Sequence, residues 1–393
     1  MDPFKANENH ENAVSWIFFA SSAKPTSMRR ALAQRLAQID PVVIVDQPVS
    51  LLRDKKIPAF GKRCGRLSGE NETLHYQPIH FPEQVPGVGK ILKELNQRRL
   101  QQELNSLLPK NGKRIVCYDS PTQDQLVSKL REDLSVYMAI DDRTLTVWGD
   151  PIQGEVEAEK RLLGKVDKVI CVSKALADII RSRIPTGRNI PIYVLPNGYD
   201  ERLFDPTKVY PEPQMLVSIP RPRILVAGHV SERIDWEGII RAYRLRPNWH
   251  WVFVGPADSG MKEKINKTLG INGRYHPPIP LTDVPAWIHH CEACAVPYRL
   301  NSFTRASHPL KALEYLAMGA PVLSTKIPSL ERYQGVIEWV NEGDGESYAR
   351  ALDGLASQAG SQEIRELRRR AVSGDSWVVR VNQFRKIVFN AIS

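Results

Sequence analysis

A repeated alternation along the first half of this chain leaves few folds open to it. Short unbroken apolar runs are each followed by a segment with apolar residues at helical spacing. VSWIFFAS (14–21) precedes MRRALAQRLAQ, and DPVVIVDQP is a short run bounded by Asp and Pro. KRIVCYDSP and LSVYMAIDD repeat the pattern around a polar helical candidate, TQDQLVSKLRED. GEVEAEKRLLGKV, DKVICVS, KALADIIRSRI and IPIYVLPNG continue it. Runs this apolar have no solvated face, so they read as strands of a parallel sheet covered by helices on both sides.

A proline-rich stretch without periodicity, FDPTKVYPEPQMLVSIPRP (204–222), interrupts the cycle and has the composition of an interdomain linker. The alternation restarts with RILVAG, DWEGIIRAYRL and WHWVFVGP, then runs through GMKEKINKTL, RYHPPIP, DVPAWIHHC and ACAVPY. HPLKALEYLAMG, APVLSTK, IEWVNEG and two helices near 345–357 and 361–372 complete it. A chain of 393 residues, 42% hydrophobic and 25% charged, is too long for one compact core. The fold class is therefore α/β, with two Rossmann-like, doubly wound parallel-sheet domains facing a cleft. The expected boundaries are a disordered lead-in over 1–13, an N-terminal domain over 14–205, a linker over 206–222 and a C-terminal domain over 223–375. The amphipathic segment 376–393 is expected to cross back to the first domain as a helix.

Charge and cysteine usage narrow the partners. The net charge is +10 and the pI about 9.3; residues 51–114 alone hold 13 Lys and Arg against 6 Asp and Glu. This region includes LLRDKKIPAFGKRCGR and a helical candidate, VGKILKELNQRRLQQELNSLL. Such a patch attracts phosphates of an anionic lipid surface or of a diphosphate-linked substrate, although a merely solvated basic face has the same composition. Nucleic acid is not expected, because no recognition motif or interleaved aromatic platform accompanies the charge. No stretch reaches the roughly 18–20 apolar residues of a membrane span. The first residues lack the basic-then-apolar pattern of a signal peptide, which makes the cytoplasm the simplest location. Cys291 and Cys294 form a CxxC without the further ligands of a zinc site. His229, His289, His290 and His308 offer no metal-ligand spacing, and no Asp-x-Asp loop lies beside the candidate site. No metal and no cofactor is required by the sequence.

In open parallel sheets, ligands sit at the carboxyl ends of strands, where helix N-termini present amides to phosphate. Three turns of the second domain qualify. VAGHVSERID carries Gly228 at a strand end and Arg233 as an added charge, and VFVGPADSG carries Gly255; an ordinary tight turn would look the same. The third, PYRLNSFTRASHPLKALEYLAMGAPVLST (297–325), combines Arg299, Ser302, Thr304, Arg305 and Ser307 with a helix opened by Pro309. Lys311 and Glu314 lie i, i+3 on that helix and share a side. The lysine is placed to meet a diphosphate and the glutamate the vicinal hydroxyls of a ribose; a plain i, i+3 ion pair is the competing reading. In the first domain, LSVYMAIDD ends on two carboxylates, Asp141 and Asp142. One of them facing the cleft would serve as a general base, and a like-charged neighbour would raise its pKa; capping of the next turn is the alternative. Ser173 reads as a helix N-cap, and Asn197–Gly198 as a structural turn.

PLKALEYLAMGAPVLST resembles the donor-site helix of glycosyltransferases with two Rossmann-like domains, the GT-B group. It is similar to the bacterial exopolysaccharide and teichuronic-acid-type enzymes, with the pattern S-P-x-K-x-x-E-Y-x-A-x-G-x-P-V and His308 in the first slot. VDKVICVSKALADII, LPNGYDERLFDP, HWVFVGP and DVPAWIHHCEACAVPYRLNSFTRAS agree in order, so the resemblance runs from about residue 115 to 330. It implies a nucleotide-sugar donor held by the second domain, with Tyr298 and Leu310 flanking the base, an acceptor held by the first, and Glu159 touching the cleft. Many retaining members carry a second Glu eight residues before the one matching Glu314; here that position is Ala306, which points toward inversion. The Y-x-x-x-D of Tyr137–Asp141 resembles the xanthan glucuronosyltransferase, in which this Asp is the base.

The implied function is transfer of a sugar from a nucleotide diphosphate donor, UDP-linked by the resemblance, to a hydroxyl of a glycan or lipid-linked acceptor. Asp141 or Asp142 would be the base, and the setting surface polysaccharide or glycolipid synthesis at the inner face of the cytoplasmic membrane, docked through residues 51–114. A sugar-nucleotide epimerase of the same fold and a phosphate- or nucleic-acid-binding interaction protein remain as alternatives.

Overall fold

The computed structural model describes residues 14–20, 27–50, 65–70, 73–83, 86–109, 111–358 and 360–389. The lead-in over 1–13 and most of the basic stretch 51–66 lie outside the described residues. The first domain runs β1 (Val14–Ala20), α1 (Met28–Leu36), β2 (Val42–Asp46), β3 (Val49–Ser50), β4 (Gly65–Glu70), β5 (Thr73–His80), α2 (Gly89–Leu107), β6 (Lys113–Tyr118), β7 (Leu134–Ala139), α3 (Glu155–Leu163), β8 (Lys168–Cys171), α4 (Lys174–Arg183) and β9 (Ile192–Val194). Its sheet has the order β3-β5-β2-β1-β6-β7-β8-β9, with β4 paired to β5. Every ladder is parallel except β4–β5. Trp16, Ile17, Phe18, Val43, Ile44, Val116 and Val136 are fully buried, as continuous apolar strands between two helical layers must be.

After a short α5 (Gln214–Val217), the second domain runs β10 (Arg223–Ala227), α6 (Trp236–Leu245), β11 (His250–Val254), α7 (Met261–Leu269), β12 (Gly273–His276), α8 (Val284–His289), β13 (Ala293–Val296), α9 (Ser302–Ala306), α10 (Leu310–Ala317), β14 (Val322–Thr325), β15 (Ile337–Val340), α11 (Gly345–Ser357) and α12 (Gln362–Val372). Its six strands are ordered β12-β11-β10-β13-β14-β15 and all parallel. The order reverses between β10 and β13, which is where such sheets open a ligand crevice. The proline-rich segment is packed rather than free: Phe204, Leu216 and Ile219 are buried in the second domain's core. Its prolines remove periodicity, but its apolar residues still find the nearest core.

α13 (Trp377–Phe389) returns to the first domain, where Trp377, Val381, Phe384 and Val388 join the core around β1. The Phe384 ring stands 5.6 Å from Trp16 and 6.0 Å from Phe18. Lys168 closes the helix by donating to the carbonyls of Ile387 (2.7 Å) and Val388 (2.8 Å), the pairing that a helix C-terminus favours.

Two local readings fail. TQDQLVSKLRED forms no α-helix; a 3₁₀ turn over Pro121–Gln125 is followed by Ser128 and Arg131 at φ of 68° and 56°. Gln123 accepts from the amides of Asp119 (2.8 Å) and Ser120 (3.1 Å), and Glu132 from that of Leu130 (3.0 Å). Side chains that bind nearby backbone in this way compete with helix. The β4–β5 hairpin lies in the region read only as basic, because TLHYQPIH mixes polar residues and Pro78 into a strand near the sheet edge.

Candidate active site between the two sheets

The carboxyl edges of the two sheets face each other. Asn301 of the second domain donates to the Val147 carbonyl at 3.0 Å, and Ser173, which follows β8, donates to the Ala306 carbonyl at 2.5 Å. Asn197 donates to the His308 carbonyl at 2.7 Å. Ser173 also caps α4 through the Leu176 amide, so one hydroxyl serves both the helix and the seam.

On the donor side, the crevice between β10 and β13 begins at Gly228. Its φ is 135° and its amide donates to Val254 at 2.8 Å. Gly255, at φ 140°, lies so close that a Cβ there would stand 2.1 Å from the Gly228 carbonyl oxygen. Neither conformation suits an L-residue with a side chain. No atom lies within 4 Å of a Cβ built on Gly228, so that strand end opens onto free space. The Arg233 guanidinium covers the Tyr298 ring at 4.4 Å and donates to its hydroxyl at 3.4 Å, a cation–π arrangement. Beside it is a cavity of about 280 Å³, lined by Glu232, Arg233, Arg299, Asn301 and Glu342, with Trp148 of the first domain as its opposite wall.

α9 and α10 complete this side. An Asn301–Thr304 capping box starts α9, and Ser307 ends it by donating to the Thr304 carbonyl at 2.7 Å. Arg305 is exposed, whereas Ala306 is buried in the core cluster of the first domain, against which Leu310 also packs. Leu310, expected beside a nucleobase, is thus turned toward the interdomain contact. Lys311 donates to Glu314 at 2.6 Å; the lysine side chain is 20% exposed and the glutamate 1%. Burial pushes the Glu314 carboxyl above its ordinary range against the pull of Lys311. Tyr315 accepts from the Ala227 amide at 2.9 Å and ties α10 to β10.

On the acceptor side, the two neighbouring aspartates part company. Asp141 is exposed at the end of β7. Asp142 is buried and accepts from Arg183 (3.0 and 2.9 Å) and from the Thr144 hydroxyl (2.7 Å). Burial alone would raise its carboxyl; Arg183 and Thr144 outweigh that and hold it low. Asp142 is therefore an anchor of the loop and not a base for the cleft. Glu159 is corrected as well: it is 0% exposed and bonded to Tyr137 (2.7 Å) and Arg183 (2.7 Å) beneath the sheet, where burial raises its carboxyl. It does not reach the cleft.

The sequence reading missed Trp148 and a buried ion cluster. Arg29 and Arg143 approach the Asp119 carboxylate at 3.2 and 3.6 Å where β6 ends. Burial lowers the Arg29 guanidinium from its ordinary value, with Asp119 and Asp141 opposing. Trp148 left a signal, an isolated aromatic in a polar Gly-Asp loop. Arg29 left none, since its partner is ninety residues away in the chain. Among the described residues, no group of three or more His, Cys, Asp or Glu could hold a metal ion.

Residues 221–358 match the family model of the group 1 glycosyl transferases. Sucrose-phosphate synthase from Thermosynechococcus elongatus superposes with a TM-score of 0.72 at 14% identity, over 96% of this chain and 99% of that one. Anabaena Alr3699/HepE, solved in complex with UDP and glucose, superposes at 0.68 and 15% identity, over 96% and 99%. Two parallel-sheet domains with facing carboxyl edges give the chain a GT-B fold, and its second domain is the part that matches the group 1 glycosyl transferases. At the level of sequence the chain is similar to TuaH of Bacillus subtilis (strain 168), assigned as a teichuronic acid biosynthesis glycosyltransferase. The two are 24% identical over 307 residues, 74% of this chain and 76% of TuaH. Of the three readings that the sequence left open, the transferase is the one these relatives carry.

Proposed function

We propose that the chain transfers a sugar from a UDP-linked donor to a hydroxyl of a glycan or lipid-linked acceptor, with inversion, in the synthesis of a surface polysaccharide or glycolipid. The observation that carries this reading is the opposition of two edges across the seam. One ends in the exposed Asp141, and the other presents α10 with Lys311 and Glu314. Asp141 takes the acceptor proton as the oxygen attacks the anomeric carbon, and the nucleoside diphosphate leaves toward Lys311, Arg233 and the first amides of α10. Positive groups held there stabilise charge that develops only as the bond breaks. Glu314, held by Lys311 in the free enzyme, accepts the ribose hydroxyls when the lysine turns to the diphosphate. Trp148 closes the donor cavity from the acceptor side.

Inversion is supported by Ala306. An acid on that side chain would be buried in an apolar interdomain contact, an expensive place for a charge. The UDP bound to HepE and the teichuronic acid assignment of TuaH support the donor and the pathway. We further propose that the step uses no resident metal or cofactor, the cationic side chains supplying the counter-charge, and that the enzyme works at the inner face of the cytoplasmic membrane.

Asp141→Asn should lose about 10²–10⁴-fold in turnover, the usual worth of a general base, while keeping donor-induced thermal stabilisation. Lys311→Ala should weaken that stabilisation, and chelation should leave turnover unchanged. An active Asp141→Asn would place the base elsewhere. A product that keeps the donor's anomeric configuration would end the inverting mechanism.

A further inference from the structure

α2 is amphipathic in two senses. One face is nailed to the sheet: Asn96, Leu100, Leu104 and Leu107 are buried, and Asn96 exchanges hydrogen bonds with the Phe81 backbone at 2.8 and 3.0 Å. The other face, in its N-terminal half, exposes Val88 (42%), Ile91 (66%) and Leu95 (40%). Their spacing of three and four places them on one stripe, turned away from the buried face. Lys90, Lys93 and Arg98 are exposed around the stripe, against a single acid, Glu94, on that half of the helix. A soluble chain gains nothing by holding three large aliphatics in water on a rigid helix, and cations set around an apolar stripe are the pattern of a helix lying in a bilayer interface.

The placement of the stripe adds a second argument. β5 runs parallel to β2, β2 to β1, and β1 to β6. α2 connects β5 to β6 and so runs against them. Its N-terminal half therefore lies at the carboxyl edge of the sheet, the edge that carries Asp141. We propose that the Val88–Ile91–Leu95 face of α2 inserts into the interface of an anionic lipid surface, with Lys90, Lys93 and Arg98 on the headgroups, and turns the mouth of the cleft toward a lipid-linked acceptor. The inference rests on the transferase reading for its purpose, but the contact itself is independent of chemistry.

The test uses the full-length chain and two kinds of vesicle, pure phosphatidylcholine and the same lipid with about one quarter phosphatidylglycerol, since cations near a surface respond to its charge. Wild type should co-float with the anionic vesicles and not with the neutral ones. Ile91→Glu and a Lys90→Glu/Lys93→Glu variant should each reduce the bound fraction about tenfold or more. Both should keep the wild-type melting temperature and the wild-type rate on a water-soluble acceptor, because neither position touches the cleft. Co-flotation unchanged by Ile91→Glu would overturn the proposal, as would a wild type that ignores both vesicles. A dimer in sedimentation that Ile91→Glu dissolves, with no vesicle binding, would overturn it in favour of a second copy of the chain. Failure of the transferase reading would show separately, as a wild type that gains no thermal stability from nucleotide sugars whatever it does on lipid.

Discussion

Arg183 shows how much one side chain can decide. Its guanidinium is shared by Asp142 and Glu159, both closed to solvent, and Glu159 is further held by Tyr137. Arg183→Met would leave two buried carboxylates without a cation, and losing one partner of such a set typically costs about 3–5 kcal/mol. The expected outcome is a matching drop in urea stability, with Arg183→Lys intermediate because it keeps the charge but not the fork. His308 makes a pH prediction. It is 5% exposed, and burial, with Arg380 and Arg332 nearby, lowers its pKa to about 3. The folded state holds it neutral while the unfolded chain titrates near the ordinary value of about 6.5. The unfolded state thus binds the extra proton first, and stability contributed by His308 is present above about pH 6.5 and falls by about 1.4 kcal/mol per unit as pH drops toward 3. His308→Gln should flatten that slope in denaturation curves measured at about pH 7 and about pH 5.

At the scale of elements, the donor crevice depends on two strand ends that must nearly touch. Gly255→Ala meets both a φ of 140° and a carbonyl oxygen 2.1 Å from the new Cβ, while Gly228→Ala meets only a φ of 135°. Backbone strain of this kind is worth about 1–3 kcal/mol. Gly255→Ala should therefore lower the melting temperature more than Gly228→Ala, and should also lose more of the donor-induced shift, since it moves the crevice itself. The same scale explains why the sequence misled at 122–133. A polar segment with helical composition yields to a turn when Gln123 and Glu132 satisfy the backbone instead.

At the scale of the molecule, the last helix belongs to the first domain. Trp377, Val381, Phe384 and Val388 are buried in its core, and Lys168 binds the helix end. A chain ending after Asp375 should expose the Trp16–Phe18 face and leave the Lys168 ammonium without its two carbonyls. Calorimetry should then show the first domain melting earlier, as a transition separate from the second. What is local could be read from the residues alone: which runs are apolar enough to be strands, where Ser173 caps, and that Lys311 and Glu314 share one side of a helix. Hydrophobic periodicity and i, i+3 spacing need no knowledge of the rest of the chain. Only the packed molecule shows which of two adjacent aspartates meets solvent, that Glu159 lies beneath the sheet, and that Trp148 walls a cavity with Arg233. Each of these depends on a partner tens of residues away, and burial of a charge is settled by that partner rather than by its neighbours in the chain.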